Sequence, residues 1–113
     1  MEARERELVY YTTANGKVVV RDWLRSLADP NTRTRIRIRL DRLEDGNLGD
    51  HRSVGEGVVE LRMEFGPGYR IYIGQDGERI VVLLCGGDKG TQSRDIRLAT
   101  EYWRDYRKGG EAK

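Results

Sequence analysis

Arg62, Arg70 and Lys89 are the side chains of this sequence whose settings best suit them to hold a phosphate. The first two lie in VELRMEFGPGYRIYI, where Val59, Leu61, Met63 and Phe65 are apolar at every second position and Glu60, Arg62 and Glu64 fill the gaps. Such alternation gives a strand one buried and one polar face. Gly66-Pro67-Gly68 breaks the run, and Tyr69, Ile71 and Ile73 resume it. A three-residue turn sets Phe65 against Tyr69, Met63 against Ile71 and Leu61 against Ile73; a two-residue turn would mix the faces. On the polar side Glu64 then faces Arg70, and Arg62 faces Tyr72. Two guanidinium groups there would clamp a phosphate, with Tyr72 free to stack on a base. The plainer alternative is a Glu64–Arg70 surface pair, worth under about 1 kcal/mol.

Lys89 stands in Gly86-Gly87-Asp88-Lys89-Gly90-Thr91-Gln92, between an apolar run and a helix start. Backbone N–H groups at a helix N-terminus can receive an anion, and a lysine adds charge. The GxxxxGK[ST] spacing of a phosphate-binding loop is absent, and a plain connecting turn explains the glycines equally well. Basic residues recur in one short segment as Arg33, Arg35, Arg37, Arg39 and Arg42. Arginines four apart on a helix repel by roughly a few tenths of a kcal/mol per pair. They form either a solvated face, relieved in part by Arg37–Asp41, or a surface for a polyanion or an acidic protein segment.

Other chemistries lack their parts. His51 is the single histidine, which rules out a two-histidine ribonuclease mechanism and a metal cluster built around it. The single cysteine, Cys85, allows no internal disulfide or multi-cysteine zinc site and fits a reducing cytosol. It ends an apolar run with no histidine nearby in sequence, as a small core residue does. Asp88, Glu60 and Glu64 make no convincing catalytic carboxylate pair, and no Ser/His/Asp set is supported.

The elements that must position these groups can be read from periodicity. Leu8 to Thr13 is a short strand ended by Asn15-Gly16. Val20, Trp23, Leu24 and Leu27 recur at helical spacing between Val18 and Leu27, though the valine run leaves the start open. Asp29-Pro30 supplies an N-cap and a first-turn proline for a second helix, which runs to about Glu44 and stops at Asp45-Gly46-Asn47. Ile36, Leu40 and Leu43 mark its inner side. A glycine-bearing loop with His51 leads to the hairpin, and Asp76-Gly77 opens another. Ile80 to Cys85 reads as a central strand covered on both faces, Gly86 to Gln92 as a loop, and Ser93 to about Tyr106 as a closing helix with Ile96, Ala99, Trp103 and Tyr106 on one face.

At 113 residues the chain suits one domain, expected over residues 1–107 with a disordered tail at 108–113. Its 35% charged residues leave a formal net charge of only +2, so the basicity is local. The start, MEARERELVYY, is charged where a signal peptide needs an apolar core. No window approaches the roughly 18 apolar residues of a membrane span. A cytoplasmic location, without membrane association, is expected.

The segments GVVELRMEFGPGYRIYI and VVLLCGGDKGTQ, followed by DI and a closing helix, resemble the RelE/ParE superfamily of toxin–antitoxin toxins. The likeness is strongest to the HigB-like, phage Gp49-like "addiction module killer protein" branch. It extends from about Tyr10 to Tyr106 and takes in DWLRSL, the basic second helix and GNLGDHRSVGEGV. It implies a RelE-like α+β fold in the order β-α-α-β-β-β-α, an antiparallel or mixed sheet packed against helices. It also implies an endoribonuclease that cuts mRNA, usually on the ribosome, without metal or other cofactor, and is held inactive by an antitoxin, expected as a helix-turn-helix protein. The catalytic set so implied is Arg70, Lys89, Arg62 and Asp88. The RNA-binding set is Tyr72, Gln92, Thr91, Arg37 and His51, and Gly90 stands where relatives commonly carry serine. Lys89, Asp88 and His51 all remain open as the general base. The alternative is a ParE-like protein that binds DNA gyrase and cuts no RNA; a third reading is an inactive relative that only binds RNA or an antitoxin.

Overall fold

A computed structural model describes residues 5–112. The protein is α+β: a mixed six-stranded sheet and three helices. Strands β1 (Glu7–Thr12), β2 (His51–Gly55), β3 (Val58–Met63), β4 (Tyr69–Asp76), β5 (Ile80–Asp88) and β6 (Glu111–Ala112) lie in the order β2-β3-β4-β5-β1-β6. β1 runs parallel to β5, and every other pairing is antiparallel.

Helices α1 (Val19–Ser26) and α2 (Pro30–Glu44) cover one face of the sheet, where Val20, Leu24, Ile36, Leu40 and Leu43 meet Leu61, Met63, Ile71, Ile73, Val81 and Leu83. Asp29 caps α2 as its position before Pro30 suggests, accepting from the Asn31 N–H at 3.1 Å and the Thr32 hydroxyl at 3.1 Å; a cap of this kind contributes about 1 kcal/mol. Helix α3 (Gln92–Arg107) covers the other face, packing Ala99 and Trp103 on Val58, Tyr72, Val82, Leu84 and Cys85. β5 is buried on both sides, as its unbroken apolar run predicts.

Four expectations change. The β3–β4 register pairs Met63 with Tyr69, Leu61 with Ile71 and Val59 with Ile73, two residues away from the expected pairing. The connecting turn is longer than three residues: β3 ends at Met63, β4 begins at Tyr69, and Gly66 and Gly68 take φ of 56° and 79°. An even slip keeps each side chain on its face, so burial alone cannot distinguish the two registers. Secondly, the expected His51 loop contains β2, joined to β3 through Glu56-Gly57, both with positive φ, the backbone of a tight primed hairpin turn. Thirdly, β5 continues through Gly86 and Gly87 to Asp88. It holds a bulge: Cys85 pairs with Tyr72 and Leu83 with Ile73, leaving Leu84 without a partner. Lastly, the expected disordered tail carries β6, whose Ala112 pairs with Tyr11; Lys113 lies outside the described residues.

Candidate functional site

The bulge in β5 sets what each glycine after it meets. Gly86 faces α1, where an added Cβ would stand 2.3 Å from the Trp23 ring. Gly87 faces α3, where an added Cβ would stand 1.8 Å from Asp95 Oδ2. The buried Asp95 and the Thr91 hydroxyl, hydrogen-bonded to each other, can thus press on the strand end. A 3-10 turn (Lys89–Thr91) begins there, capped by Asp88, whose carboxylate accepts from the Gly90 N–H at 2.7 Å. The Asp88 N–H in turn lies 3.2 Å from Thr91 Oγ1. Asp88 and Thr91 therefore hold the loop in shape, and Lys89 projects from it exposed.

On the α3 face, β2, β3 and β4 place Arg52, Glu60 and Tyr72 in one cross-strand row, with Arg62 and Arg70 in the next. The Glu60 carboxylate is fully buried yet meets three donors. Oε1 accepts from Arg52 Nε at 2.9 Å; Oε2 accepts from the Tyr72 hydroxyl and from Gln92 Nε2, each at 2.9 Å. Burial pushes this carboxyl upward, but donation from Gln92, Arg52 and Tyr72 and the Arg52 charge outweigh it, so it lies below its ordinary value. The same burial and hydrogen bond raise the Tyr72 phenol.

Arg70 is held tightly, its side chain 11% exposed. Its Nη1 donates to the Gly68 carbonyl at 2.7 Å, and its Nε lies 3.7 Å from Glu60 Oε2, near enough for charge pairing but too far for a hydrogen bond. A Cβ on Gly68 would stand 3.1 Å from Arg70 Nη1 and 3.4 Å from Lys89 Cβ, so Arg70 and Lys89 converge on this turn. Arg62, 35% exposed, pairs with Asp50 Oδ1 at 3.3 Å.

The structure therefore brings together Arg70, Arg62, Lys89 and Gln92 of the expected residues, with Asp88 and Thr91 beneath the lysine. Tyr72 is placed differently: its ring is fully buried under α3 and cannot stack on a base. Glu64 is exposed in the turn, and the anion beside Arg70 is Glu60. His51 pairs with Leu61, whose side chain lies in the core under α1 and α2, so His51 is on the opposite face from Arg70; its Nδ1 lies 2.7 Å from the Gly49 carbonyl. Arg37 is also on that side, exposed on α2.

The arginines of α2 divide their tasks. Arg39 donates to the carbonyls of Arg62, Leu48 and Asp50 at 2.7, 2.8 and 2.6 Å, fixing the approach to β2. Arg33 donates to the Leu27 and Ala28 carbonyls beyond α1, and Arg35 lies 3.8 Å over the Phe65 ring. No Arg37–Asp41 ion pair forms among the described residues. Arg52 is not among the residues expected from the sequence, and Glu60, expected on the polar face of its strand, is fully buried. No alternation marks β2 in the sequence, since HRSVG holds a single apolar side chain, Val54.

This fold and site define an α+β protein with a cationic sheet edge organised around a buried carboxylate. No family model matches the chain. It is 46% identical over 77 residues to an uncharacterized protein of Haemophilus influenzae (strain ATCC 51907 / DSM 11121 / KW20 / Rd), an alignment covering 68% of this chain and 78% of that protein. The chain belongs to the family of that protein.

Proposed function

We propose that this protein is a RelE-fold toxin of a toxin–antitoxin module that cuts mRNA, on translating ribosomes, as a metal-independent endoribonuclease. The observation that carries the reading is the convergence of Arg70 and Lys89 at Gly68, with Arg62 on the adjoining strand. Cleavage by attack of a ribose 2′-hydroxyl on its own 3′-phosphate builds negative charge on a pentavalent phosphorus and expels a 5′-hydroxyl. Two guanidinium groups and an ammonium fixed around one phosphate suit that charge. Arg70 is the best candidate for charge stabilisation because its largely buried setting leaves it little freedom to reorganise. Lys89 is the remaining candidate for proton transfer on this face, since Asp88 is engaged as a cap and His51 lies on the other side. The ribosome would contribute positioning of the mRNA.

Mapping RNA 5′ ends after brief induction tests this directly. Cuts within translated frames are expected. Growth arrest with intact mRNA and impaired DNA supercoiling would favour the gyrase-binding alternative, and harmless expression would overturn the toxin reading.

A further inference from the structure

We propose that Glu60 is a positioning residue of this site, holding Arg70 and Gln92 in register and presenting Arg52 as a further RNA-binding cation. The inference rests on the ribonuclease reading above. A buried carboxylate beside an RNA-binding surface opposes the approach of phosphate, so it must serve something other than affinity. What it provides is geometry.

Both of its oxygens are engaged, and they take the inner edges of their partners. Arg52 gives Glu60 its Nε at 2.9 Å, and the Nη atoms of this exposed edge-strand residue stay available to solvent. Arg70 also turns its Nε toward Glu60, at 3.7 Å, while Nη1 is tied to Gly68. The second terminal nitrogen of Arg70 makes no hydrogen bond among the described residues. Gln92 spends Nε2 on Oε2 and keeps its amide oxygen, a group able to accept from a ribose hydroxyl. Tyr72, from beneath, donates the remaining hydrogen bond and blocks rotation of the carboxylate. One buried anion thereby sets the direction of side chains from β2, β4 and α3. The Arg52 guanidinium, fixed at Nε, presents its outer nitrogens as a fork to phosphate oxygens, and Arg70 keeps one terminal nitrogen for the same use.

The test is Glu60→Gln in the full chain, checked for folding by thermal unfolding and followed in two assays. One is binding to a fluorescein-labelled single-stranded RNA; the other is single-turnover cleavage of ribosome-bound mRNA. Loss of the anion leaves an amide that cannot serve three donors. The cleavage rate should fall at least about tenfold, because small misplacements are costly in rate, while RNA affinity stays equal or tightens. A purely structural role would not separate rate from affinity in this direction. A folded Glu60→Gln protein that cleaves at the wild-type rate overturns the proposal, as does a loss confined to affinity. Should Glu60→Gln not fold, Tyr72→Phe keeps the ring packing and removes one donor; it should lower rate without lowering affinity, and an unchanged rate overturns the proposal. Arg52→Ala should weaken RNA binding and reduce its salt slope by about one, and an unchanged slope removes Arg52 from the site. A wild-type protein that binds RNA but cleaves none overturns the ribonuclease reading and this proposal with it. Cleavage by wild type and Glu60→Gln alike overturns this proposal alone.

Discussion

Arg62 and Arg70 stand directly opposite each other on β3 and β4, a pairing of like charges that is unfavourable unless anions separate them. Asp50 and Glu60 do so from the two sides, at 3.3 and 3.7 Å. The arrangement is more easily understood as prepared for a polyanion than as a device for stability. Arg70→Ala should therefore keep the fold and lower single-turnover cleavage by about 100-fold or more. Arg70→Lys should recover little, since an ammonium cannot hold the Gly68 carbonyl and reach a phosphate oxygen from one fixed plane. Equal rates for wild type and Arg70→Ala would remove Arg70 from the reaction.

Trp103 should act through stability alone. It is buried on the α3 face, stacked on Tyr106 at 5.5 Å, and an added Cβ at Gly74 would stand 2.4 Å from its ring. Trp103→Ala should cost roughly 3–5 kcal/mol in urea unfolding, and Gly74→Ala should also destabilise strongly. Because the two share one space, the double variant should lose less than the sum of the singles. Strict additivity would show that α3 is not seated on Gly74.

How far could these residues be foreseen? Helix α2 could be read to its ends, because Asp29, Pro30 and Gly46 act locally. The faces of β3 and β4 could be read too, since alternation needs no knowledge of a partner. Their exact pairing could not, because the longer turn shifts it by an even step that burial does not register. β2 was hidden because Glu-Gly lacks the usual Asn-Gly or Asp-Gly signature of a primed turn. Glu60 and Tyr72 were misjudged for a different reason. Their positions on a polar face are correct, but α3 folds over that part of the sheet, and nothing within the strand announces it.

Acid should weaken the fold through Glu60. Its carboxyl lies below its ordinary value once burial is outweighed by the donors Gln92, Arg52 and Tyr72. A lowered value means that its contribution is complete above the ordinary carboxyl range, near about pH 4.3, and is lost as pH falls through the folded value. Urea midpoints for wild type and Glu60→Gln should therefore keep a constant gap above about pH 4.3 and converge as pH falls below it. A gap that stays constant below that pH as well would contradict this linkage.

Cys85 should be chemically silent while the protein is folded. Burial first, and then the Asp95 charge, push its thiol up to about 12. Modification by a disulfide reagent at pH 8 should follow global unfolding and speed up with added urea. Rapid labelling of the native protein would show that the strand end opens locally.

A partner encoded beside this gene, most simply a helix-turn-helix antitoxin, follows from the proposed activity. Arg37 and Arg42 point outward from α2 without ion pairs among the described residues, which favours acidic segments in that partner. Co-expression should restore growth. A gene found alone, whose product is harmless without any partner, would count against both the antitoxin and the toxicity.

The parallel pairing of β1 with β5 joins Glu7 to Ile80, so the first strand to leave a ribosome must wait for nearly the last one. Gln92, which completes the Glu60 cluster, is translated later still. During synthesis the β2–β3 and β3–β4 hairpins can form early, because their contacts are local. The cationic cluster cannot close until α3 has emerged. Under the proposed activity, a nascent chain would thus stay harmless to the ribosome that is making it, and a neutralising partner would gain the time of one translation round to meet its target.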